Sequence, residues 1–403
     1  MSAPRQRRFA ALAWLVALLL GSAAPVLALS DAQQLVVEAW RLVNQSYVDP
    51  SRFEQVQWKR LRQKALEQPI RSSGDAYEAI SSMLAPLDDP YTRLLRPDEY
   101  STLKANTRGS VNGVGLQLAL RRADEQVIVI APLDGSPAAE ARIPSGTAVL
   151  AVNGVSTGEL GLEGTANALR GKTGSRVLVS LETPGGQRRE LELERRTVDL
   201  QPVRSRLIQQ GGHQLGYLRI TQFAEPVPAQ VEALLSSESI AASDGLILDL
   251  RNNSGGLVSA GLAVANDLLD NEAIVTTQDR DGLSSPTQAG PGRLYDGAMV
   301  TLVNGGTASA SEILAGALQD DDRSLLVGQR TFGKGLIQTL IPLGDGSGLA
   351  VTVARYLTPS GRDIQNLGIL PDLSLQPPEP LNPGGPGDVW LEQAASALVE
   401  LLG

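Results

Sequence analysis

Apolar positions change their rhythm twice along this chain, and each change marks a change of architecture. From Asp31, the stretch DAQQLVVEAWRLVNQSYVD puts Leu35, Val36, Ala39, Trp40 and Val43 on one face of a helix. Further helices are expected over Trp58–Glu67 and Gly74–Leu84, and Asp89-Pro90 in LDDPYTRLL ends the pattern. Between about Gly109 and Arg195 the period shortens to two. QVIVIAPL, TAVLAVNG and RVLVSLETPGG read as strands, Asn153-Gly154 and Pro184-Gly185-Gly186 as tight turns, with short helices at SPAAEARI and LEGTANALRG. From about Thr197 to Pro371, strands (LGYLRIT, GLILDL, AMVTLVN, LAVTVARYLT) alternate with helices (PAQVEALLSS, GLVSAGLAVANDLL, SASEILAGALQ). That is the order of a layered α/β domain. A Pro/Gly-rich link, Gln376–Pro386, leads to a final amphipathic helix, DVWLEQAASALVELL.

The expected organisation is multidomain α+β. It comprises a signal segment at 1–28, an N-terminal helical region at 29–105, a β-rich module at 106–195, an α/β core at 196–375, and a linker with C-terminal helix at 376–403. The first segment carries Arg5, Arg7 and Arg8, an apolar run from Phe9 to Leu20, and the small-residue triplet Val26-Leu27-Ala28. This is the outline of a secretory signal peptide, with a retained N-terminal anchor as the alternative. An exported protein is therefore expected.

Composition narrows the chemistry. The 403-residue chain has a net charge of −9, which argues against nucleic acid as a partner. It has no cysteine and one histidine, His213. Thiol nucleophiles, disulfides and Cys- or His-rich metal sites are thereby excluded, and no cofactor is implied.

In VNGGTASASEILAGALQD three hydroxyl residues, Thr307, Ser309 and Ser311, crowd ahead of a helix. Strand AMVTLVN ends, Gly305-Gly306 permits a tight turn, and the helix starts near Ser309. A serine there has its hydroxyl at the mouth of the domain, beside backbone N–H groups that the helix leaves unpaired and that could hold an oxyanion. The ordinary explanation is a helix cap, because Ser309 and Glu312 spell S-x-x-E. A base for Ser309 could be His213, in a Gly-rich turn, or a lysine whose pKa burial has lowered. Lys334, in QRTFGKGLIQTL, is the one lysine of the α/β region. Gln338, four residues on, would share its face if Lys334 starts a strand. Gly255 or Gly256, in DLRNNSGG, could present an N–H beside Ser309. The S-x-x-K of Ser101–Lys104 and the K-T-G of Lys172–Gly174 suggest the penicillin-binding pattern, but no S-D-N lies between them. In the β module, Gly113, Val114, Gly115 and Leu116 form a turn ahead of an alternating strand. Such a turn can bind a peptide's terminal carboxylate while the peptide adds as a strand.

Taken together, DDPYTRLL, GVGLQL, DLRNNSGG, VNGGTASASEILAGAL, TFGKGLIQT, DGSGLAVTVARYLTPSGRDI and GILPD resemble the carboxyl-terminal processing (tail-specific) proteases, in order and spacing over nearly the whole mature chain. The resemblance implies a Ser309–Lys334 dyad with Gln338, and oxyanion donors at Ala310 and Gly255. It makes the β module a PDZ domain with its carboxylate turn at Gly113–Leu116. It also implies that Arg170 links the position of that domain to the active site. Arg142 and Thr147 depart from the Gly and Asp usual in the family. DGSGLAVTVARYLTPSGRDI and NQSYVDP look most like the photosynthetic branch, whose members trim a photosystem II reaction-centre protein. The expectation is an exported serine endopeptidase of the periplasm or thylakoid lumen, with membrane association as the alternative to a free enzyme. Its partners would be the C-terminal tails of unfolded or membrane-anchored proteins. The alternative is a PDZ-bearing tail-binding protein on an inactive protease scaffold.

Overall fold

The computed structural model describes residues 29–121, 125–133, 135–144, 146–377, 379 and 383–403; the signal segment expected at 1–28 lies outside them. Among the described residues no helix is long and apolar enough to cross a membrane.

The central sheet has six strands in the order Val203–Gln210, His213–Ile220, Gly245–Asp249, Ala298–Val303, Leu325–Gly328 and Leu373–Ser374. The first pair is antiparallel and the rest are parallel. Every residue of Gly245–Asp249 is buried, as a parallel strand covered on both faces requires. One face packs under the helices Val227–Leu235, Val258–Leu268 and Ala310–Asp320. The other is closed by the C-terminal helix Val389–Leu402, whose Trp390, Leu391 and Leu398 pack on Tyr217, Ile247 and Val300.

A second, antiparallel sheet stands beside it. Its long strand, Gly348–Leu357, pairs with Leu336–Pro342 to make a hairpin, with Ala273–Asp279 at one end and with Arg93–Leu95 at the other. Arg93–Leu95 comes from the N-terminal region. Helices Asp31–Ser46 and Ser73–Leu84 bury Val36, Ala39, Val43 and Ile80 in the same cluster as Leu349 and Val351. The N-terminal helices are therefore fused to the body through a shared core and a shared sheet.

The β module leaves the body on Ser110–Gly113 and returns on Arg196–Asp199, which pair antiparallel as a two-stranded stem. Beyond the stem, strands run in the order Leu116–Arg121, Gln126–Pro132, Ala148–Val152, Arg176–Glu182, Arg188–Glu194 around a core of Val129, Val149, Val179 and Leu181. Leu116–Arg121 is an edge strand, with one side open to a further strand. Gly115, which precedes it, has φ +74°, and a Cβ there would lie 2.2 Å from Ser136 Cβ. Only glycine fits that turn.

The two departures noted in this module have physical consequences. Arg142 takes φ +52°, a left-handed conformation that glycine adopts freely. Thr147 is fully buried, and its hydroxyl has no partner among the described residues. A buried unpaired hydroxyl costs about 1–3 kcal/mol. Thr147→Val is therefore expected to raise the unfolding free energy by about 1 kcal/mol. A urea melt would read this as a higher midpoint at unchanged slope. A lower midpoint would show that the hydroxyl is satisfied.

Candidate active site

Parallel strands present their ligands at their C-terminal ends, where the loops diverge. Here the loops after Gly245–Asp249 and Ala298–Val303 are stitched together. Asn252 N donates to Asn304 Oδ1 (2.9 Å) and Asn304 Nδ2 returns to Asn252 Oδ1 (2.8 Å). A Cβ on Gly306 would lie 3.0 Å from Asn252 Cα, so the turn closes only with glycine.

The three hydroxyls then separate by role. Thr307 Oγ1 donates to Leu250 O (2.9 Å) and Ser311 Oγ to Asn253 O (2.9 Å); both are fully buried. Ser309 lies between them with φ +58° and ψ −119°, a rare conformation for a side-chain-bearing residue. Its side chain makes no capping hydrogen bond to the helix it precedes. Two hydroxyls pin the turn, and the third is left for other use.

What holds the strained turn is Glu312, whose carboxylate is fully buried. Its Oε2 accepts from Ser309 N (2.9 Å) and from Lys334 N (2.9 Å). Its Oε1 accepts from Gly333 N (2.7 Å) and Thr331 Oγ1 (2.5 Å). One carboxylate thus ties the Ser309 turn to the Thr331–Gly335 loop, and the helix N-terminus adds to its stabilisation. Tyr356 adds a bond from its hydroxyl to Ser309 O (3.1 Å). The sequence marked Glu312 only as half of a capping box. Its bonds to residues nineteen to twenty-two positions on had no local signal.

Lys334 is half-buried in that loop. Burial, and behind it the Arg93 guanidinium, push its amine below the ordinary lysine range, against the opposing pull of Asp89 and Glu312. Its Nζ sits 4.9 Å from the centroid of the Tyr91 ring, a cation–π distance. Tyr91 belongs to DDPYTRLL. Asp89 fixes that segment by accepting from Tyr91 N (2.9 Å), Thr92 Oγ1 (2.7 Å) and Thr352 Oγ1 (2.7 Å). The N-terminal region therefore builds one wall of the site.

Other expected residues are placed less directly. Lys334 does not begin a strand: Leu336 does, and the pairing slips between Ile337 and Gln338, leaving Gln338 opposite Thr352. The shared-face argument for Gln338 therefore fails, because Glu312 and Gln365 capture the N–H groups of Lys334 and Gly335 before the ladder starts. Gln338 Nε2 instead lies 3.5 Å from Thr352 Oγ1. Among the described residues no hydrogen bond joins Lys334 Nζ to Ser309 or to Gln338. Gly255 packs on the Ser309 turn, where a Cβ would lie 2.9 Å from Ser309 Cβ, and its N–H donates to Asn253 Oδ1 (3.0 Å). The N–H of Ala310 has no acceptor among the described residues. His213 starts its strand at the opposite end of the sheet from Ser309 and sits 3.5 Å from Asp244. In the β module Gly113 bridges to Arg170 through the backbone, and Arg170 Nη1 donates to Asn167 Oδ1 (3.2 Å).

The profile of Peptidase family S41 matches residues 214–375. The chain is 45% identical over 365 residues to the carboxyl-terminal-processing protease of Picosynechococcus sp., covering 90% of this chain and 88% of that protein. It is 42% identical over 372 residues to the chloroplastic C-terminal processing peptidase of Tetradesmus obliquus, covering 88% of this chain and 80% of that one. Among solved structures it is similar to a photosystem II D1 C-terminal processing protease, at TM-score 0.65 and 39% identity, over 92% of this chain and 98% of that one.

The Glu312 clamp carries a testable consequence. Glu312→Gln keeps the side-chain shape but turns an N–H group towards donors. The expected result is a fall in kcat of about 100-fold, the effect of small misplacements, with KM changed far less. An unchanged kcat would show that the clamp does not position the site.

Proposed function

This chain belongs to the carboxyl-terminal-processing proteases of peptidase family S41 and is a serine-type peptidase, and from that premise we propose the following mechanism and substrate. A substrate's C-terminal tail enters between the β module, read as a PDZ domain at 106–195, and the α/β core at 196–375. Its free carboxylate is held by the N–H groups of the Gly113–Leu116 turn, and the tail adds to the open edge of Leu116–Arg121. Lys334, deprotonated, leaves the Tyr91 ring, whose attraction is for the ammonium form. It takes the Ser309 proton as Oγ bonds to the scissile carbonyl carbon. The negative oxygen is stabilised by the Ala310 N–H and by that of Gly255 once Asn253 yields it. Collapse breaks the C–N bond, Lys334 passes its proton to the leaving amine, and water hydrolyses the acyl-enzyme. Gln338 lines the base's side of the site. Arg170, on the backbone bridge to Gly113, couples the position of the β module to the core.

The observation that carries this reading is the single Glu312 oxygen that receives both Ser309 N and Lys334 N. It places the two segments within two hydrogen-bond lengths in a fold where His213 is remote. The binding-only alternative finds no support among relatives that bear the peptidase name. The proposed substrate is the C-terminal extension of a photosystem II reaction-centre protein or a similar tail. The site would face the lumen or periplasm, as the homologues' chloroplastic and cyanobacterial origins suggest.

Two outcomes are expected. A reporter with a free apolar tail is cleaved, and amidating the tail weakens cleavage. Ser309→Ala and Lys334→Arg lower it by about 10⁴-fold or more, since arginine cannot act as a neutral base. Near wild-type cleavage by either variant would exclude the dyad. Secondly, activity needs the neutral amine, so kcat/KM should rise with pH. Its midpoint should lie below the ordinary lysine value of 10.5, because burial lowers the Lys334 pKa. A flat profile, or a midpoint at 10.5 or above, would contradict the assignment.

A further inference from the structure

A cavity of about 1040 Å³ separates the β module from the central sheet. Its module wall is apolar, with Leu118, Leu133 and Leu162. Arg170 stands beside them, and Arg204, Arg206 and Arg219 form the opposite wall. Among the described residues no aspartate or glutamate lines it, in a chain whose net charge is −9. A concave, low-dielectric site lined by one sign of charge focuses its field on ligands of the other sign.

The arginines are arranged in a way the fold alone does not ask for. Arg204 and Arg206 are two apart on Val203–Gln210 and share a face. Arg204 lies directly opposite Arg219 on the antiparallel neighbour, a like-charge pairing that opposes sheet formation. Arg219 is compensated by buried Asp249 at 2.9 Å. Arg206 is braced over the Tyr217 ring, 5.3 Å from its centroid, and donates to Gly384 O (3.0 Å). Among the described residues no carboxylate pairs with Arg170, Arg204 or Arg206. Three guanidinium groups are thus available for a carboxylate from outside.

The cavity's position says which carboxylate. At one end it shares Leu116, Gln117, Leu133 and Arg170 with the smaller groove around Gly113–Gly115. Towards the core it reaches Asn252, three residues before the Gly255 that packs on Ser309. A tail held at the Gly113–Leu116 turn and cut at Ser309 crosses this space. We infer that Arg204 and Arg206, with Arg170, form a subsite for acidic side chains that lie between the substrate's terminal carboxylate and its scissile bond. This rests on the tail-capture reading above. Arginine suits the role because its planar fork takes a carboxylate in a bidentate pair.

The test uses the full chain with Ser309→Ala, so that nothing is cut, and fluorescent peptides that share one apolar tail. A pair of residues, Glu-Glu or Gln-Gln, is moved through the interior of the tail, with the C-terminus free. In at least one register the Glu tail should bind roughly fivefold to tenfold tighter than its Gln counterpart, with the ratio shrinking as salt rises. Arg204→Gln and Arg204→Gln/Arg206→Gln should bring that ratio below about twofold. The single variant guards against misfolding, because Arg204 is exposed and its side chain makes no hydrogen bond or ion pair among the described residues, and each Gln tail is the internal reference for its own variant. Glu and Gln tails that bind equally in every register would overturn the subsite and leave tail capture standing. So would a preference that survives in the double variant. No binding of any free tail would overturn both.

Discussion

A carboxylate buried inside a protein must be surrounded by donors, and in this protein that requirement organises everything near Ser309. Glu312 is fully buried and receives four hydrogen bonds, from Ser309 N, Lys334 N, Gly333 N and Thr331 Oγ1. Removing any of them would leave the buried carboxylate one donor short, at a cost in stability. The strained φ of Ser309 and the irregular path of Thr331–Gly335 persist because the same carboxylate over-determines both. The surrounding fold serves this arrangement. The parallel strands deliver two loops to one end of a sheet, the asparagine pair Asn252–Asn304 locks them, and Thr307 and Ser311 spend their hydroxyls on the backbone beneath.

With both segments fixed, the proposed chemistry turns on the lysine side chain. The protein surrounds Lys334 with opposing influences. Burial and Arg93 favour the neutral amine; Asp89, Glu312 and the Tyr91 ring favour the ammonium. The structure shows the side chain over Tyr91, without a hydrogen bond to Ser309 among the described residues. Two of these influences, Asp89 and Tyr91, come from a segment more than 200 residues earlier, held in place because Arg93–Leu95 joins the sheet that begins just after Lys334. The N-terminal region is thus part of the site.

Much of this was legible in the sequence. The alternation of strands and helices, the Gly305-Gly306 turn and the helix start singled out Ser309. The scarcity of lysine singled out Lys334. What stayed hidden depends on long-range contact. Glu312 looked like a capping residue, because its bonds to Gly333 and Lys334 leave no local periodicity. Tyr91 could be quoted within a motif but not paired with a lysine 243 positions away. The face argument for Gln338 assumed a regular strand from Lys334, whereas the ladder starts at Leu336 and slips once. The hydrogen bond from Gly255 N to Asn253 Oδ1 is likewise a side-chain choice within the loop that glycine spacing does not encode.

The central claim is that Lys334 works as a neutral amine, and it can be measured without following the reaction. The chain's lysines are Lys59, Lys64, Lys104, Lys172 and Lys334, so lysine labelled with ¹³C at Cε should give five resolvable NMR signals, with Lys334 assigned by its loss in Lys334→Arg. The account predicts that this signal titrates below 10.5, the ordinary lysine value. A Lys334 signal that titrates at or above 10.5 would contradict it, since the amine would then be protonated wherever the protein works.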